Sequence, residues 1–276
     1  MTDGPWVNVA AADGLQVWRG PGSGPPMVAL HGLEDTWANW GPLTARLPGF
    51  TPYALQLPWH SGTDYGWRAQ GTPAQWLSRA LALVPEQPAV ILAHSFGATV
   101  LLSHLAPGPG PGLSAVVLVA PVYRPAELTL TDELRDRSRS EYREVLRLGL
   151  GKALGAKAAR MDPEIRGLME QKVLDRAVPA GFPVFYEQFG ESGLQDLTGF
   201  DVPTLVLAGT RDAGLTPERA AALKRAMPVA QVTLRPEYGH FCHLEQVADV
   251  SRDVDAFLSS SSATHRIDHH EARNPA

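Results

Sequence analysis

One serine in this chain lies where a side chain can act as a nucleophile. The segment AVILAHSFGATVLLSHL places Ser95 between an apolar strand and a helix rich in small residues, with Ala93 two residues before it and Gly97 two residues after it. A strand that turns this sharply into a helix strains its turn residue and tolerates only small neighbours at those two positions. The pattern favours a nucleophilic serine over the simpler alternative, a serine that only caps the helix.

A nucleophilic serine needs a base and a carboxylate, and two later segments contain candidates. His240 lies in RPEYGHFCHLEQ, after the last predicted strand, and Asp212 lies in TLVLAGTRDAGLTPE, directly after a core strand. An imidazole that titrates near pH 6.5 can accept the serine proton and later return it. A carboxylate on its other nitrogen fixes the tautomer and stabilises the imidazolium. A serine, a histidine and an aspartate in these segments together predict acyl-transfer chemistry.

Rival residues fit these roles less well. His243 lies near His240 but falls where the last helix should begin, which favours packing. Asp175, Asp196 and Asp201 are alternative carboxylates, and none follows a core strand as directly as the preferred aspartate. The single cysteine, Cys242, is near the candidate base, yet a lone cysteine more often fills apolar space than reacts.

Alternating strands and helices must position these residues. Asp13-Gly14 between two β-rich segments, 6–10 and 15–19, predicts an antiparallel hairpin. Short apolar runs that suit strands covered on both faces follow at 27–30, 53–57, 89–93, 115–120, 204–208 and 231–234, and helices are predicted at 73–84, 216–227 and 243–258. This alternation predicts the α/β class, with a mostly parallel sheet flanked by helices.

The segment 122–200 breaks this rhythm because it contains no strong strand signal and is helical and charged. We expect an inserted helical cap that covers the site, since long connections in compact domains are usually functional. The alternative is an appendage that only covers a sheet edge. The polar tail 259–276 lacks periodicity and is predicted to be disordered.

These motifs together resemble the α/β-hydrolase superfamily, particularly its capped members with an HG motif after the third strand. The resemblance runs from about Val28 to Leu258 and rests on MVALHGLEDTWANW as well as on the segments above. It implies a hydrolase core of residues 1–121 and 201–258 around the cap 122–200. It also implies that the backbone N–H groups of Leu33 and Phe96 form an oxyanion hole, and that His31 shapes the loop.

The chain departs from the family pattern at two places. The serine motif reads AxSxG rather than GxSxG, and the loop after the fourth strand reads QLPWHSGTD where many relatives have DLPGHGxS, so that Trp59 and Ser61 replace glycines. This loop lies near the site in the family, and its change bears on the substrate. We expect Trp37, Trp59 and His31 to line the substrate pocket, with burial in the core as an equal alternative for the two tryptophans.

Composition narrows the function classes. The chain has 276 residues, of which 44% are hydrophobic and 19% charged, and its net charge of −5 offers no electrostatic footprint for nucleic acid. No segment approaches the roughly 20 apolar residues that span a membrane, and the amino terminus does not resemble a secretory signal. With one cysteine and no metal or dinucleotide motif, we expect a cytoplasmic protein without a cofactor that acts on a small molecule. The sequence does not indicate an oligomeric state.

Three functions follow, in order of preference. The first is a serine hydrolase that forms an acyl-enzyme from an ester, thioester or lactone of a medium-sized apolar substrate. The second keeps the fold but cleaves a carbon–carbon bond, eliminates a group or cyclises a biosynthetic intermediate. The third is a ligand-binding module without catalysis. Relatives of the haloalkane-dehalogenase and epoxide-hydrolase kind need an aspartate at position 95, and the serine excludes them.

Overall fold

An eight-stranded sheet forms the centre of the molecule. The computed structural model describes residues 5–155 and 160–271, with side chains as far as Ser261. The strand order is β1-β2-β4-β3-β5-β6-β7-β8; β2 pairs antiparallel with β1 and β4, and all other pairs are parallel. The strands are β1 (Val7–Ala12), β2 (Leu15–Arg19), β3 (Pro26–Leu30), β4 (Thr51–Gln56), β5 (Val90–His94), β6 (Ala115–Val119), β7 (Thr204–Gly209) and β8 (Ala230–Arg235).

The sequence of each strand matches its depth in the sheet. The central strands β5 and β6, VILAH and AVVLV, are buried at every residue, as expected for parallel strands with helices on both faces. The edge strand β1 is mostly exposed and joins β2 through a turn in which Asp13 and Gly14 both have positive φ. The predicted class, a mostly parallel α/β sheet flanked by helices, is confirmed.

Helices cover both faces of this sheet. They are α1 (Gly41–Thr44), α2 (Pro73–Ala82), α3 (Ser95–Leu105), α4 (Asp132–Leu154), α5 (Pro163–Ser192), α6 (Pro217–Ala226), α7 (Cys242–Glu245) and α8 (Val247–Glu271). Residues of β3 alternate between two apolar clusters: Val28 and Leu30 pack with α2, α3 and α6, whereas Met27 and Ala29 pack with α1, α7 and α8. Within the described ranges, no helix is long and apolar enough to cross a membrane.

The helices α4 and α5 form an insertion between β6 and β7. They pack against each other through a separate apolar cluster that includes Tyr142, Leu146, Leu174 and Phe182. Close approach of α5 depends on Gly181, because a Cβ atom at this position would lie less than 3.0 Å from the hydroxyl oxygens of Tyr65 and Tyr142. The insertion falls within the predicted segment 122–200; the boundaries of a separate cap domain remain a prediction.

The C-terminal part of the chain differs from the prediction. Instead of one helix over 243–258, the short helix α7 is followed by α8, which continues to Glu271. No proline or glycine interrupts 247–271, so a helix that is anchored by Val250 and Val254 can propagate along the polar segment. The helix α8 thus extends into the segment for which disorder is predicted, residues 272–276 lie outside the described part of the chain, and the disorder of the tail stays a prediction.

Candidate active site

Ser95 is the first residue of α3, directly after β5. Its φ of +51° lies in the left-handed region, which a residue with a side chain rarely adopts. The turn is tight enough that a Cβ atom on Gly97 would lie less than 3.0 Å from the carbonyl oxygen of His31. Gly32 faces the serine equally closely, since a Cβ atom there would lie 3.2 Å from the serine Cβ. The structure thus has the sharp strand-to-helix turn that the spacing of small residues predicts.

A chain of hydrogen bonds joins Ser95, His240 and Asp212. The ring Nε2 of His240 lies 2.9 Å from Ser95 Oγ, and its Nδ1 lies 2.9 Å from Asp212 Oδ2. A carboxylate can only accept, so Nδ1–H donates to Asp212 and Nε2 remains to accept the hydrogen bond of the serine hydroxyl. Asp212 Oδ1 accepts a further hydrogen bond of 2.8 Å from the N–H of Gly214. The structure brings together the three residues singled out in the sequence; their roles are proposed below.

Burial and pairing act in opposite directions on these groups. Burial alone would lower the pKa of His240, but the charge and hydrogen bond of Asp212 outweigh it and the pKa is raised above 6.5. Burial alone would raise the pKa of Asp212, but the His240 charge and the hydrogen bonds from the ring and from Gly214 bring it below 3.8. Asp212 is therefore ionised at neutral pH, and His240 is a stronger base than a free imidazole.

The loop that carries His240 is fixed by the residue before the serine. His94 is buried, and its Nε2 lies 2.9 Å from the carbonyl oxygen of His240. On its other side, His94 Nδ1 faces Asp35 Oδ2 at 3.5 Å. Burial raises the pKa of Asp35, but the neighbouring histidines, His94 first, hold it at about 2. An ionised aspartate therefore lies on the far side of His94 from the loop of His240.

Leu33 and Phe96, whose backbone N–H groups are the expected oxyanion hole, line the same cavity as Ser95. Phe96 is in the first turn of α3, where backbone N–H groups have no partner within the helix. Leu33 follows Gly32 and lines the same space as the serine side chain. Donors in these positions can stabilise an oxyanion that forms on the serine.

The residue after Leu33 is tied to the insertion. Glu34 has a φ of +57° and donates its N–H to the carbonyl oxygen of Trp59 at 2.9 Å. Both of its carboxylate oxygens accept hydrogen bonds from Arg176 of α5, at 2.8 and 2.6 Å, and Tyr65 donates a third at 2.8 Å. The Glu34 side chain is only 3% exposed. A bidentate, partly buried ion pair thus connects the loop beside the serine to α5.

Two cavities meet at Ser95 and His240. The first cavity is mainly apolar, although Glu141 and Arg219 also line it. The second cavity includes polar side chains. The insertion contributes Tyr142, Val145, Leu146, Phe185 and Phe189 to the first cavity, and the second is lined in part by Asp35, Thr36, Asn39, Ser61 and Lys152.

The residues expected to line the substrate pocket lie elsewhere. Trp37 stacks on Trp18 with ring centroids 4.2 Å apart, and Trp59 is fully buried against Phe96 and Trp67. Neither tryptophan is among the residues that line the two cavities at the serine. Trp59 is buried in the core, whereas Trp37 is only partly buried against it, and their assignment to a substrate pocket stays a prediction.

His31 does not line these cavities either. Its Nε2 accepts a hydrogen bond of 3.0 Å from the N–H of Leu57, and burial lowers its pKa to about 4. It is thus a neutral side chain that joins two loops, and its assignment to the pocket stays a prediction.

The sequence analysis did not identify the aromatic side chains that line the first cavity. Phe182, Phe185, Tyr186 and Phe189 recur at helical spacing on α5, and two of them face the cavity. This spacing was available as a signal. It identifies an apolar face, but it does not indicate whether that face covers a cavity or another helix.

One group of side chains near the site has the chemistry of a metal site. Asp35, His94 and His243 are all buried, and one ligand atom from each lies within 4.8 Å of the others. Burial and the neighbouring His94 lower the pKa of His243 well below 6.5, so its ring is neutral. A carboxylate and two imidazoles are common ligands of divalent transition metals.

Comparisons with known proteins agree with this architecture. A family model described as the alpha/beta hydrolase family matches residues 27–253. An esterase from Thermogutta terrifontis is 21% identical with a TM-score of 0.61, covering 94% of this chain and 99% of its own. An esterase from Exiguobacterium antarcticum is 18% identical with a TM-score of 0.64, covering 93% and 99%. At these identities the two structures show the fold.

A curated relative matches only in part. Lipase 3 of Moraxella sp. strain TA144 is 36% identical over 58 residues, which cover 21% of this chain and 18% of that lipase. The chain therefore matches less than a fifth of this relative's length.

Proposed function

Because the chain belongs to the alpha/beta hydrolase family, we propose that it is a serine ester hydrolase that works through an acyl-enzyme. The observation that carries the proposal is the hydrogen-bonded chain Ser95–His240–Asp212, with both distances at 2.9 Å, at the junction of two cavities. Esterases and a lipase among the similar proteins support ester hydrolysis as the reaction class.

In the proposed mechanism Ser95 attacks the acyl carbon while His240 takes the hydroxyl proton. The N–H groups of Leu33 and Phe96 hold the oxyanion, and one such donor is worth about 3–4 kcal/mol of barrier. Asp212 stabilises the imidazolium that forms. His240 then protonates the leaving group, and in the second half of the cycle it activates water, which releases the acid and restores the serine.

The two cavities suggest how the substrate lies. We assign the acyl group to the first cavity, because aromatic and aliphatic side chains of α4 and α5 line it. We assign the leaving group to the second cavity, which offers polar side chains such as Asn39 and Ser61. The proposed substrate is thus an ester, thioester or lactone with a medium-sized apolar acyl part. In this proposal the insertion acts as a cap that selects the acyl group.

The proposal is tested first by labelling the nucleophile. After exposure to a serine-directed fluorophosphonate, intact-mass spectrometry should show one adduct on the parent chain and none on Ser95→Ala. Ser103→Ala removes a serine of the same helix whose hydroxyl bonds to Thr99 and Gln188, and it should be labelled like the parent. His240→Ala should label much more slowly, because its serine lacks a base. A folded parent chain without an adduct would contradict the proposal.

Product analysis separates hydrolysis from the other chemistries of the fold. With p-nitrophenyl esters of increasing acyl length as probes, reaction in water labelled with ¹⁸O should place the label in the acid product. A turnover without incorporation of the label would favour elimination or cyclisation instead. Labelling without turnover of any ester would favour a nucleophile that acts on another bond.

A further inference from the structure

A buried group of polar side chains behind His240 has no task in the proposed mechanism. Asp35, His94 and His243 are 8%, 1% and 0% exposed. Four of their atoms have no hydrogen-bond partner among the described residues: Asp35 Oδ2, His94 Nδ1 and both ring nitrogens of His243. Buried polar groups are nearly always paired, so four unpaired atoms in one place require an explanation.

The hydrogen bond of His94 shows which of its ring nitrogens carries a proton, and this makes the unpaired atoms more unfavourable. Its Nε2 lies 2.9 Å from the carbonyl oxygen of His240, which can only accept, so Nε2 carries a proton. In a neutral ring the other nitrogen, Nδ1, then presents a lone pair to the carboxylate of Asp35. Two acceptors that face each other in a buried place are unfavourable unless a positive charge or a donor lies between them.

The separation of these two acceptors distinguishes between a proton and a larger cation. A protonated imidazole donates directly to a carboxylate at about 2.7–2.9 Å, whereas His94 Nδ1 and Asp35 Oδ2 are 3.5 Å apart. Two ligands that each lie about 2.0–2.1 Å from a tetrahedral ion are about 3.4 Å from each other. His243 offers a third ligand atom within 4.8 Å of both.

The outer contacts of two of these residues also fit a metal site. Asp35 Oδ1 accepts hydrogen bonds from the N–H of Thr36, at 2.8 Å, and from the side-chain amide of Asn39, which leaves Oδ2 for an ion. The Nε2–H of His94 is held by a backbone carbonyl. Ligands of metal ions typically have partners of this kind, which fix the tautomer and the orientation of the ligand.

We propose that Asp35, His94 and His243 bind a divalent transition-metal cation of the Zn²⁺ class. Asp35 and His94 line the second cavity, so an ion can enter from there. Three protein ligands leave one tetrahedral position for a solvent molecule. The ion serves structure: it joins the loops before and after the serine and, through His94, holds the backbone of His240.

The test measures metal binding directly, without an activity assay. The full chain with His265→Gln, His269→Gln and His270→Gln serves as the background, so that histidines of the C-terminal segment do not contribute. After chelator treatment and equilibration with Zn²⁺, gel filtration and elemental analysis should find one Zn²⁺ per chain. Co²⁺ in its place should give the intense visible absorption of a tetrahedral site.

Single variants in this background locate the ion. Asp35→Asn and His243→Gln should each weaken Zn²⁺ binding, measured by calorimetry, at least about tenfold. His104→Gln removes a histidine outside the cluster, whose Nδ1 lies 3.1 Å from Ser78 Oγ, and it should bind like the background. Zn²⁺ should also raise the melting temperature of the background, and raise it less in the two cluster variants.

Three results would overturn the proposal. The first is a folded background chain that retains no Zn²⁺ after gel filtration. The second is unchanged affinity in both cluster variants. The third is a Co²⁺ spectrum of octahedral type, which would indicate weak surface binding. The first and third are measured on the background itself, so they decide even if a cluster variant does not fold.

Discussion

Asp212 sets the protonation of the proposed base. Its charge and hydrogen bond overcome the effect of burial on His240, and the net result is a raised pKa. His240 can accept the serine proton only when it is neutral, so activity should rise with pH through a midpoint above 6.5. The charge of Asp212 thus helps to determine the pH at the midpoint of the activity profile.

Asp212→Asn tests this relation. The amide keeps the size of the carboxylate but loses its charge, so kcat should fall by about 10³- to 10⁴-fold, as when the same change is made in other triads. The midpoint of the rise with pH should move to lower pH, because Asp212 is the group that most strongly opposes the effect of burial on the pKa of His240. The pH profile of kcat/KM measures both effects.

Asp201→Asn is the matched control, since this exposed aspartate was a rival carboxylate in the sequence. It should leave the rate and the midpoint unchanged. An unchanged midpoint in Asp212→Asn would contradict the role assigned to the carboxylate.

Single residues differed in how well the sequence predicted them. Ser95, His240 and Asp212 could be proposed because each follows a strand in a short segment with its own pattern. Trp37 and Trp59 could not be placed, because an aromatic ring suits a core as well as a pocket and the sequence does not show which way it points.

The long helix α5 approaches the rest of the molecule closely at a glycine. Gly181 leaves room for the hydroxyl groups of Tyr65 and Tyr142, one from a core loop and one from α4. Gly167, near the start of the same helix, has no atom within 4 Å of the position of a Cβ. Substitution of Gly181 therefore measures the effect of packing, whereas substitution of Gly167 measures the effect of helix propensity.

We expect opposite effects of alanine at the two positions. Gly167→Ala should stabilise the protein by about 0.5–1 kcal/mol, because alanine is the better helix former. Gly181→Ala should destabilise it by about 1–3 kcal/mol, because the added methyl group overpacks the contact with the two tyrosines. The free energies of unfolding in urea measure both changes. Equal stabilisation by the two variants would mean that α5 does not pack here as described.

Element types were easier to predict than their contacts. The absence of strand signals in 122–200 correctly indicated helices, because periodicity reports local structure. Which helix faces the serine depends on packing between distant residues, such as Phe189 and Val122. The end of α8 was missed because polar composition suggested disorder, whereas a helix can continue from an anchored turn.

Labelling of Cys242 should measure unfolding of the whole molecule, because its side chain is buried in the apolar cluster on one face of the sheet. Burial raises the pKa of its thiol to about 12, so the reactive thiolate is scarce in the native state. We expect iodoacetamide to modify it only when the protein unfolds. The labelling rate should then increase with urea with the same slope as global unfolding followed by circular dichroism.

A shallow or absent dependence on urea would contradict this expectation. It would indicate that α7 opens locally and exposes the thiol while the sheet remains folded. Labelling of the urea-unfolded chain at the rate of a free thiol is the control.

The ion pair between Glu34 and Arg176 makes the insertion and the serine loop one mechanical unit. Arg176 belongs to α5, whose Phe185 and Phe189 line the first cavity, and Glu34 follows the proposed oxyanion donor Leu33. A ligand that displaces α5 would therefore also displace the backbone N–H that is proposed to donate to the oxyanion. Contact with a distant part of a substrate can in this way lower the barrier at the reacting atom. The rate of the chemical step, and not only substrate binding, would then depend on the length of the substrate.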